Sequence, residues 1–416
     1  MFFKKNKNQM NQLSDWDNDF PALIDSVSGD RVVYFDNACV TLRPWSVIKE
    51  IEKYYTQHPS CSRRSPHTYG QRTTVAIDEA RAYISNFVGT KNPSELIFTK
   101  NATEAINLVA NGMSFSRDDI IVTSNLEHNS NLLPWMRLEE KIGLKHLTWE
   151  ITPDGQFNLD NLFQILEGGK VRLLSLFMTS HILGIRLPLE QIIEKAHKYN
   201  CLVLIDAAQS LFHEKVNVRD IGCDFMAFSF HKALGPSGVG ALYIKSDHVD
   251  KIYPSVLGGE TVDNVKFGEY HLSQAPYCYE PGLQDYSGIM GAKKALEYIT
   301  SIGYEKIQNN ETKVFSEMFR FLASFPDVEI LGAPDLSKHS SLINFIVKGM
   351  PSDELAIMLD KTGKIMCRSG VHCSHAWYQL YEKDPSLRVS FAFYNTLNDV
   401  EKFKNVFSDL MKFHKK

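Results

Sequence analysis

Lys232 stands in the run Ser229-Phe230-His231-Lys232-Ala233-Leu234-Gly235-Pro236-Ser237-Gly238-Val239-Gly240, between two apolar stretches that read as strands. A lysine amine in that setting suits Schiff-base chemistry with a carbonyl cofactor. Upstream, Cys201-Leu202-Val203-Leu204-Ile205-Asp206 reads as a fully buried strand that ends in a carboxylate. A carboxylate there is the partner that a pyridinium nitrogen needs, so the implied cofactor is pyridoxal 5'-phosphate.

In an open α/β sheet, ligands collect beyond the carboxyl ends of the strands, and the residues after each apolar run are polar here. Leu96 to Thr99 is followed by Lys100-Asn101-Ala102-Thr103-Glu104, where Thr103 is expected to cap a helix whose free amides hold a phosphate. Ile120 to Thr123 leads to Glu127-His128-Asn129-Ser130, and the His128 imidazole suits both stacking on an aromatic cofactor ring and proton transfer. Ser229 and His231 would complete the phosphate cup. Each residue also fits a plainer role: a helix cap, a hydrogen-bonded structural histidine, glycines that serve a tight turn. Their recurrence at successive strand ends favours a site. The glycine-rich run does not fit G-x-G-x-x-G, and the chain holds no G-x-x-x-x-G-K-[ST], which sets a nucleotide reading aside.

A second cluster is Cys367-Arg368-Ser369-Gly370-Val371-His372-Cys373-Ser374-His375-Ala376-Trp377. Cys373 has cationic or potentially cationic neighbours on a loop-like segment, surroundings that favour a nucleophilic thiolate. A buried structural cysteine is the alternative. A metal site from His372, Cys373 and His375 is a third reading, but adjacent residues seldom point at one ion, and no metal is expected. Arg368 and Arg388 supply forks suited to a carboxylate; beside a cofactor pocket they would recognise an α-amino acid.

The elements that must position these groups follow from pattern. The 416 residues are 44% apolar and 23% charged, enough for two domains. The net charge of −4 gives no basic excess for nucleic acid or anionic membranes, so a small-molecule substrate is expected. Strands are expected at Leu96 to Thr99, Ile120 to Thr123, Val171 to Phe177, Leu202 to Ile205, Phe225 to Phe228 and Gly240 to Ile244. Helices are expected at Val75 to Val88, Thr103 to Asn111, Pro188 to Tyr199 and Ile289 to Ile302. Together they make an α/β layer over residues 46–299 and a smaller α+β domain over 300–416, the latter with strands near Ser341 to Ile346 and Arg388 to Phe393. Residues 1–45 form an N-terminal segment expected to pack with the small domain. The seven cysteines are scattered, not spaced as a disulfide framework, and Met1 to Asp19 has no apolar signal core, so a reduced, cytoplasmic protein is expected. Val171 to Ile185 is too short and too polar to span a bilayer.

From about Tyr34 to Phe407 the chain resembles the class V aminotransferase family of fold type I pyridoxal phosphate enzymes, and within it the SUF-type (group II) cysteine desulfurases and selenocysteine lyases. The resemblance is carried by Phe35-Asp36-Asn37-Ala38, by Phe98 to Ala110, by Glu127 to Trp135 and by Asp206-Ala207-Ala208-Gln209-Ser210. It continues through Ser229 to Gly240, Arg368 to Cys373 and Arg388 to Thr396. It implies a large domain with a mostly parallel seven-stranded sheet flanked by helices, plus a smaller α+β domain carrying the catalytic-cysteine loop. It also implies that Lys232 binds the cofactor and later moves the α-proton, that Asp206 holds the ring nitrogen protonated, and that Gln209 hydrogen-bonds the phenolic oxygen. His128 would stack on the ring; Thr103, Ser229 and His231 would bind phosphate; Arg388 and Arg368 would hold the substrate carboxylate. Cys373 matches the cysteine that takes the substrate sulfur as a persulfide while L-cysteine becomes L-alanine. A homodimer is implied, with a sulfur-acceptor protein as a further partner. The chain departs from the family pattern at Ser180-His181-Ile182-Leu183-Gly184, where relatives have Ser-Asn-x-x-Gly, which brings His181 into the substrate site. It also departs at Gly282-Leu283, at Cys39 and at Arg63-Arg64-Ser65-Pro66-His67. A selenocysteine lyase, C–S lyase or aminotransferase on the same fold is the alternative; a non-catalytic scaffold is disfavoured by the joint presence of Lys232, Asp206 and His128.

Overall fold

The computed structural model describes residues 16–90, 92–332 and 341–414. The polar N-terminal stretch lies outside the described residues up to position 15. A seven-stranded sheet runs, in spatial order, Leu96–Thr99, Gly240–Ile244, Phe225–Ser229, Leu202–Asp206, Val171–Phe177, Ile120–Ser124 and Lys145–Trp149. Only Gly240–Ile244 is antiparallel to its neighbours; the other pairs are parallel. The mostly parallel seven-stranded sheet is therefore present as expected. Sequence pattern supplied six of these strands. The seventh, Lys145–Trp149, sits at an edge with only Trp149 fully buried, so it shows no continuous apolar run.

Central strands are apolar throughout because both faces are covered. Val203 and Ile205 enter one core with Met226 and Phe228, while Leu204 enters the opposite core with Phe225, Ala227 and Leu242, the alternation that a pleated strand imposes. The helices begin earlier than apolar periodicity alone indicates, because their first turns are polar and capped. One runs Thr68–Phe87, with the His67 ring accepting from the Gly70 amide; another runs Tyr286–Ile302, capped by Asp285 on the Gly288 amide. Leu189–Lys198 falls where expected.

The C-terminal part has a four-stranded antiparallel sheet in the order Val328–Leu331, Leu342–Val347, Ser386–Ser390, Arg368–Gly370. The strand expected over Arg388 to Phe393 starts earlier and stops at Ser390; Phe391 turns away and donates its amide to the Ser341 carbonyl. Val33–Tyr34 pairs in parallel with Ile365–Met366, and Val33 and Phe35 share a core with Phe345, Val389 and Phe403. Asn37, buried, donates through Nδ2 to the carbonyls of Tyr34 and Ser390 and to Asn395 Oδ1, tying the chain before the large sheet to the strand that carries Arg388. No helix among the described residues is long and apolar enough to cross a membrane.

Candidate active site

A cavity of about 220 Å³ opens at the carboxyl ends of the central strands. Thr103, His128, His181, Asp206, Gln209, Ser229, His231, Lys232, Arg368, Cys373 and Arg388 all line it, so the residues expected to bind cofactor and substrate reach one place, whereas His375, Leu283 and the Arg63 to His67 segment do not line it. A larger cleft of about 860 Å³ shares Thr179 and Gln209 with it but has neither lysine nor cysteine among its described lining residues, so the chemistry belongs to the smaller cavity.

Strand ends explain the convergence. Asp206 is the last residue of Leu202–Asp206, and its Oδ1 accepts from the Ala208 amide at 2.9 Å. Ser229 ends Phe225–Ser229, and a short 3-10 turn then carries His231 and Lys232. Thr41 braces that turn: its amide and hydroxyl donate to the His231 carbonyl, and its Oγ1 accepts from the Leu234 amide at 2.8 Å. Leu234 needs this brace because it sits at φ +59°, in the left-handed region.

One expectation needs correcting. Thr103 is not the cap of its helix; Asn101 is, with an extended backbone and a side chain that accepts from the Glu104 amide at 3.0 Å. The helix Ala102–Gly112 therefore begins one residue before Thr103, whose hydroxyl is left to pair with Ser130 Oγ at 2.7 Å. The asparagine wins because its extended backbone leaves the side-chain oxygen folded over the first turn. Ser229 Oγ accepts from the Ala102 amide at 2.8 Å, which ties the helix N-terminus to the strand beside Lys232.

Register places the arginines. Arg368 and Arg388 are directly opposed across the antiparallel pair of strands. Arg388 is buried; its Nη1 donates to the His181 carbonyl at 3.0 Å and its Nη2 lies 3.6 Å from Asp36 Oδ1, while its Nε has no partner among the described residues. Arg368 Nη1 approaches Cys39 Sγ at 2.6 Å. Gln209 Nε2 donates to the Ala38 carbonyl at 2.8 Å. The Cys373 loop is strained: His372 and Cys373 take φ +47° and +61°. Each such non-glycine residue costs on the order of 1–3 kcal/mol, so the surrounding bonds must hold it. One is the Asn129 amide, which donates to the Cys373 carbonyl at 2.8 Å.

The site's electrostatics favour neutral bases. Burial pulls the Lys232 amine below the ordinary lysine range, with Asp206 opposing that shift and Arg388 adding to it. Burial raises the Asp206 carboxyl, against the Ala208 amide and Lys232. Burial, Lys232 and the two arginines push His128 down to about 3, so it is neutral at physiological pH. Glu127, buried behind it, is raised to about 8 by burial although Ser124, Asn131 and the Phe177 amide all donate to it.

These features fit pyridoxal phosphate. A lowered lysine amine faces the cavity, a buried carboxyl whose affinity for a proton is raised by burial stands ready for a cationic partner, and hydroxyls with a helix N-terminus form an anion cup. Sequence reasoning did not find Asp36, Thr41, Glu127 or Ser374 as supports of the site. Asp36, Glu127 and Ser374 were visible only inside their motifs, and Thr41 acts through the His231 carbonyl and the Leu234 amide, far away in the chain.

The model of the class V aminotransferase family matches residues 33–403. The chain belongs to that family. It is similar to the probable cysteine desulfurase of Pyrococcus abyssi (strain GE5 / Orsay), at 34% identity over 387 residues, covering 92% of this chain and 95% of the relative. It is similar also to the probable cysteine desulfurase of Xylella fastidiosa (strain Temecula1 / ATCC 700964), at 32% identity with 94% of each chain covered. Among solved structures, the apo cysteine desulfurase of Thermococcus onnurineus NA1 superposes with a TM-score of 0.91 at 33% identity, over 96% of this chain and 98% of that one.

Proposed function

We propose that the protein is a pyridoxal phosphate-dependent cysteine desulfurase that converts L-cysteine to L-alanine and receives the sulfur as a persulfide on Cys373. The observation that carries this reading is the meeting of Lys232, Asp206, two arginines and Cys373 in one cavity, in a chain one third identical to proteins named cysteine desulfurase.

Lys232 would hold the cofactor and move the α-proton; Asp206 would pair with the ring nitrogen, and Gln209 with the phenolic oxygen. Neutral His128 would stack on the ring. Thr103, Ser229 and His231 would hold the phosphate, and His231, pushed down to about 4 by burial and Lys232, would serve as a neutral donor. When bound, pyridoxal phosphate supplies the electron sink that weakens the bonds at the substrate's Cα and Cβ. Arg388 and Arg368 clamp the carboxylate, with His181 beside them. The Cys373 thiolate attacks the substrate sulfur, the Cβ–S bond breaks, Cβ takes up a proton to give alanine, and Cys373 keeps the sulfur for a reductant or an acceptor protein.

Residues 46–299 are read as the cofactor-binding domain and 300–416 as the small domain with the Cys373 loop, with the chain before residue 46 expected to pack on the latter; for its described part, the core that Val33 and Phe35 share with Val389 supports this. A homodimer in the cytoplasm completes the reading. All seven cysteines are free, in keeping with a reducing compartment.

The test is alanine and sulfide release from L-cysteine with a reductant, comparing wild type with Cys373→Ala. Release by the wild type and at least about a hundredfold loss in the mutant, with the cofactor spectrum intact, is expected for a nucleophile. Full turnover by Cys373→Ala would sink the assigned role; turnover of a non-sulfur amino acid in preference to cysteine would favour the lyase or aminotransferase reading.

A further inference from the structure

His181 occupies the position that the family fills with asparagine, yet its ring does more than border the cavity. It is buried, and Nε2 lies 3.1 Å from the His372 carbonyl and 3.0 Å from Ser374 Oγ, the residues on either side of Cys373. A carbonyl only accepts, so the bond to His372 requires the proton on Nε2. Ser374 Oγ passes the chain of bonds on to the Glu127 carbonyl at 3.3 Å. The His181 carbonyl accepts from Arg388 at 3.0 Å. The ring meets His128 edge-on at 4.9 Å between centroids. The turn that presents His181 is itself fixed, because Ser180 Oγ accepts from the Ile182 and Leu183 amides and the Ser180 amide donates to the Ile185 carbonyl.

We infer that His181 is a positioning residue that latches the nucleophile loop, clamping both neighbours of Cys373 so that two left-handed residues stay over the cavity. The inference rests on the reading of Cys373 as the sulfur acceptor. It assigns to one side chain the joint placement of nucleophile and carboxylate clamp: the ring holds the loop, and the main chain of the same residue holds Arg388. An asparagine is shorter, and at this backbone position its amide falls short of the two groups that Nε2 reaches. A glutamine reaches them, since its Nε2 lies about as far from the main chain as that of histidine.

The experiment uses cofactor-loaded enzyme and two readouts. In the absence of substrate, alkylation of Cys373 by iodoacetamide is followed by peptide mass spectrometry; with L-cysteine, kcat and KM are measured. For His181→Ala, the alkylation rate is expected to rise about tenfold and kcat to fall about tenfold, with KM changed less than about threefold, while His181→Gln stays near wild type. If His181→Ala does not fold, His181→Asn takes its place under the same criteria. An unchanged alkylation rate, or a large rise in KM with kcat preserved, would overturn the latch and leave His181 as a substrate contact. Cys373→Ala separates the two ideas: full sulfide release by that variant defeats the desulfurase role of Cys373, whereas alkylation judges the latch on the unreacted thiol.

Discussion

His372 shows how much the site depends on keeping its histidines neutral. It is buried with Nε2 3.2 Å from Ser386 Oγ and with Nδ1 unpartnered among the described residues. Burial and the two arginines push it down to about 2, as similar surroundings push His128 to about 3. In each case the folded value lies below the unfolded one. Between the two values the unfolded chain binds more protons, so stability falls as the pH drops below the ordinary histidine range. From pH 6.5 to pH 5 each such group withdraws about 2 kcal/mol. The denaturant midpoint of the wild type is expected to fall on going from pH 7 to pH 5, and that of His372→Gln to fall less. Equal pH dependence in both proteins would contradict the account. Residue-level chemistry at Cys373 has a different origin: its loop geometry comes from the bond its own carbonyl accepts from the Asn129 amide and from those its neighbours make with His181 and the Glu127 carbonyl.

The element that matters most is the junction between the helix Ala102–Gly112 and the strand Gly240–Ile244. A Cβ on Gly240 would lie 2.5 Å from Asn101 Cα and 2.7 Å from the Phe228 carbonyl oxygen, both backbone atoms that cannot swing aside. Glycine here lets the helix start press against the sheet, where the Ala102 amide meets Ser229. Gly240→Ala should therefore cost about 1–3 kcal/mol by overpacking and also weaken cofactor affinity by shifting the phosphate cup. Gly238 is a useful control, since it has open space around it at φ +83°. Gly238→Ala should lose stability alone. Thermal unfolding and pyridoxal phosphate titration of the two variants check this, and wild-type affinity in Gly240→Ala would show that the junction does not govern the cup.

At the scale of the molecule, some of the exposed apolar residues fall near one another. Tyr253, Val256, Leu257 and Leu283 are exposed, and the Gly282 amide donates to the Gly259 carbonyl at 2.8 Å, which brings Leu283 next to that stretch. Exposed apolar groups gathered in this way mark an interaction surface, and a second copy of the chain is the partner that the family resemblance implies. Sedimentation velocity is expected to give a particle of twice the 47.4 kDa chain, and the double substitution Leu257→Glu, Leu283→Glu to yield monomers. A wild-type monomer at micromolar concentration would refute the homodimer.

The sequence by itself determined the class of chemistry. Buried parallel strands have to be apolar along their whole length and have to end where ligands gather, so Asp206, Ser229 and Lys232 announced themselves by position as well as by type. The same logic missed the strand Lys145–Trp149, because a half-exposed edge carries no such run. It also misassigned the helix cap, because Asn101 and Thr103 are both good capping residues and only backbone geometry separates them. Tertiary structure alone decided that Arg368 and Arg388 stand opposite each other and that His181 holds both neighbours of Cys373. It also decided that Asn37 joins the N-terminal segment to the Arg388 strand. Those contacts bring together residues about twenty to more than three hundred and fifty positions apart, and no local pattern of periodicity, capping or spacing encodes them.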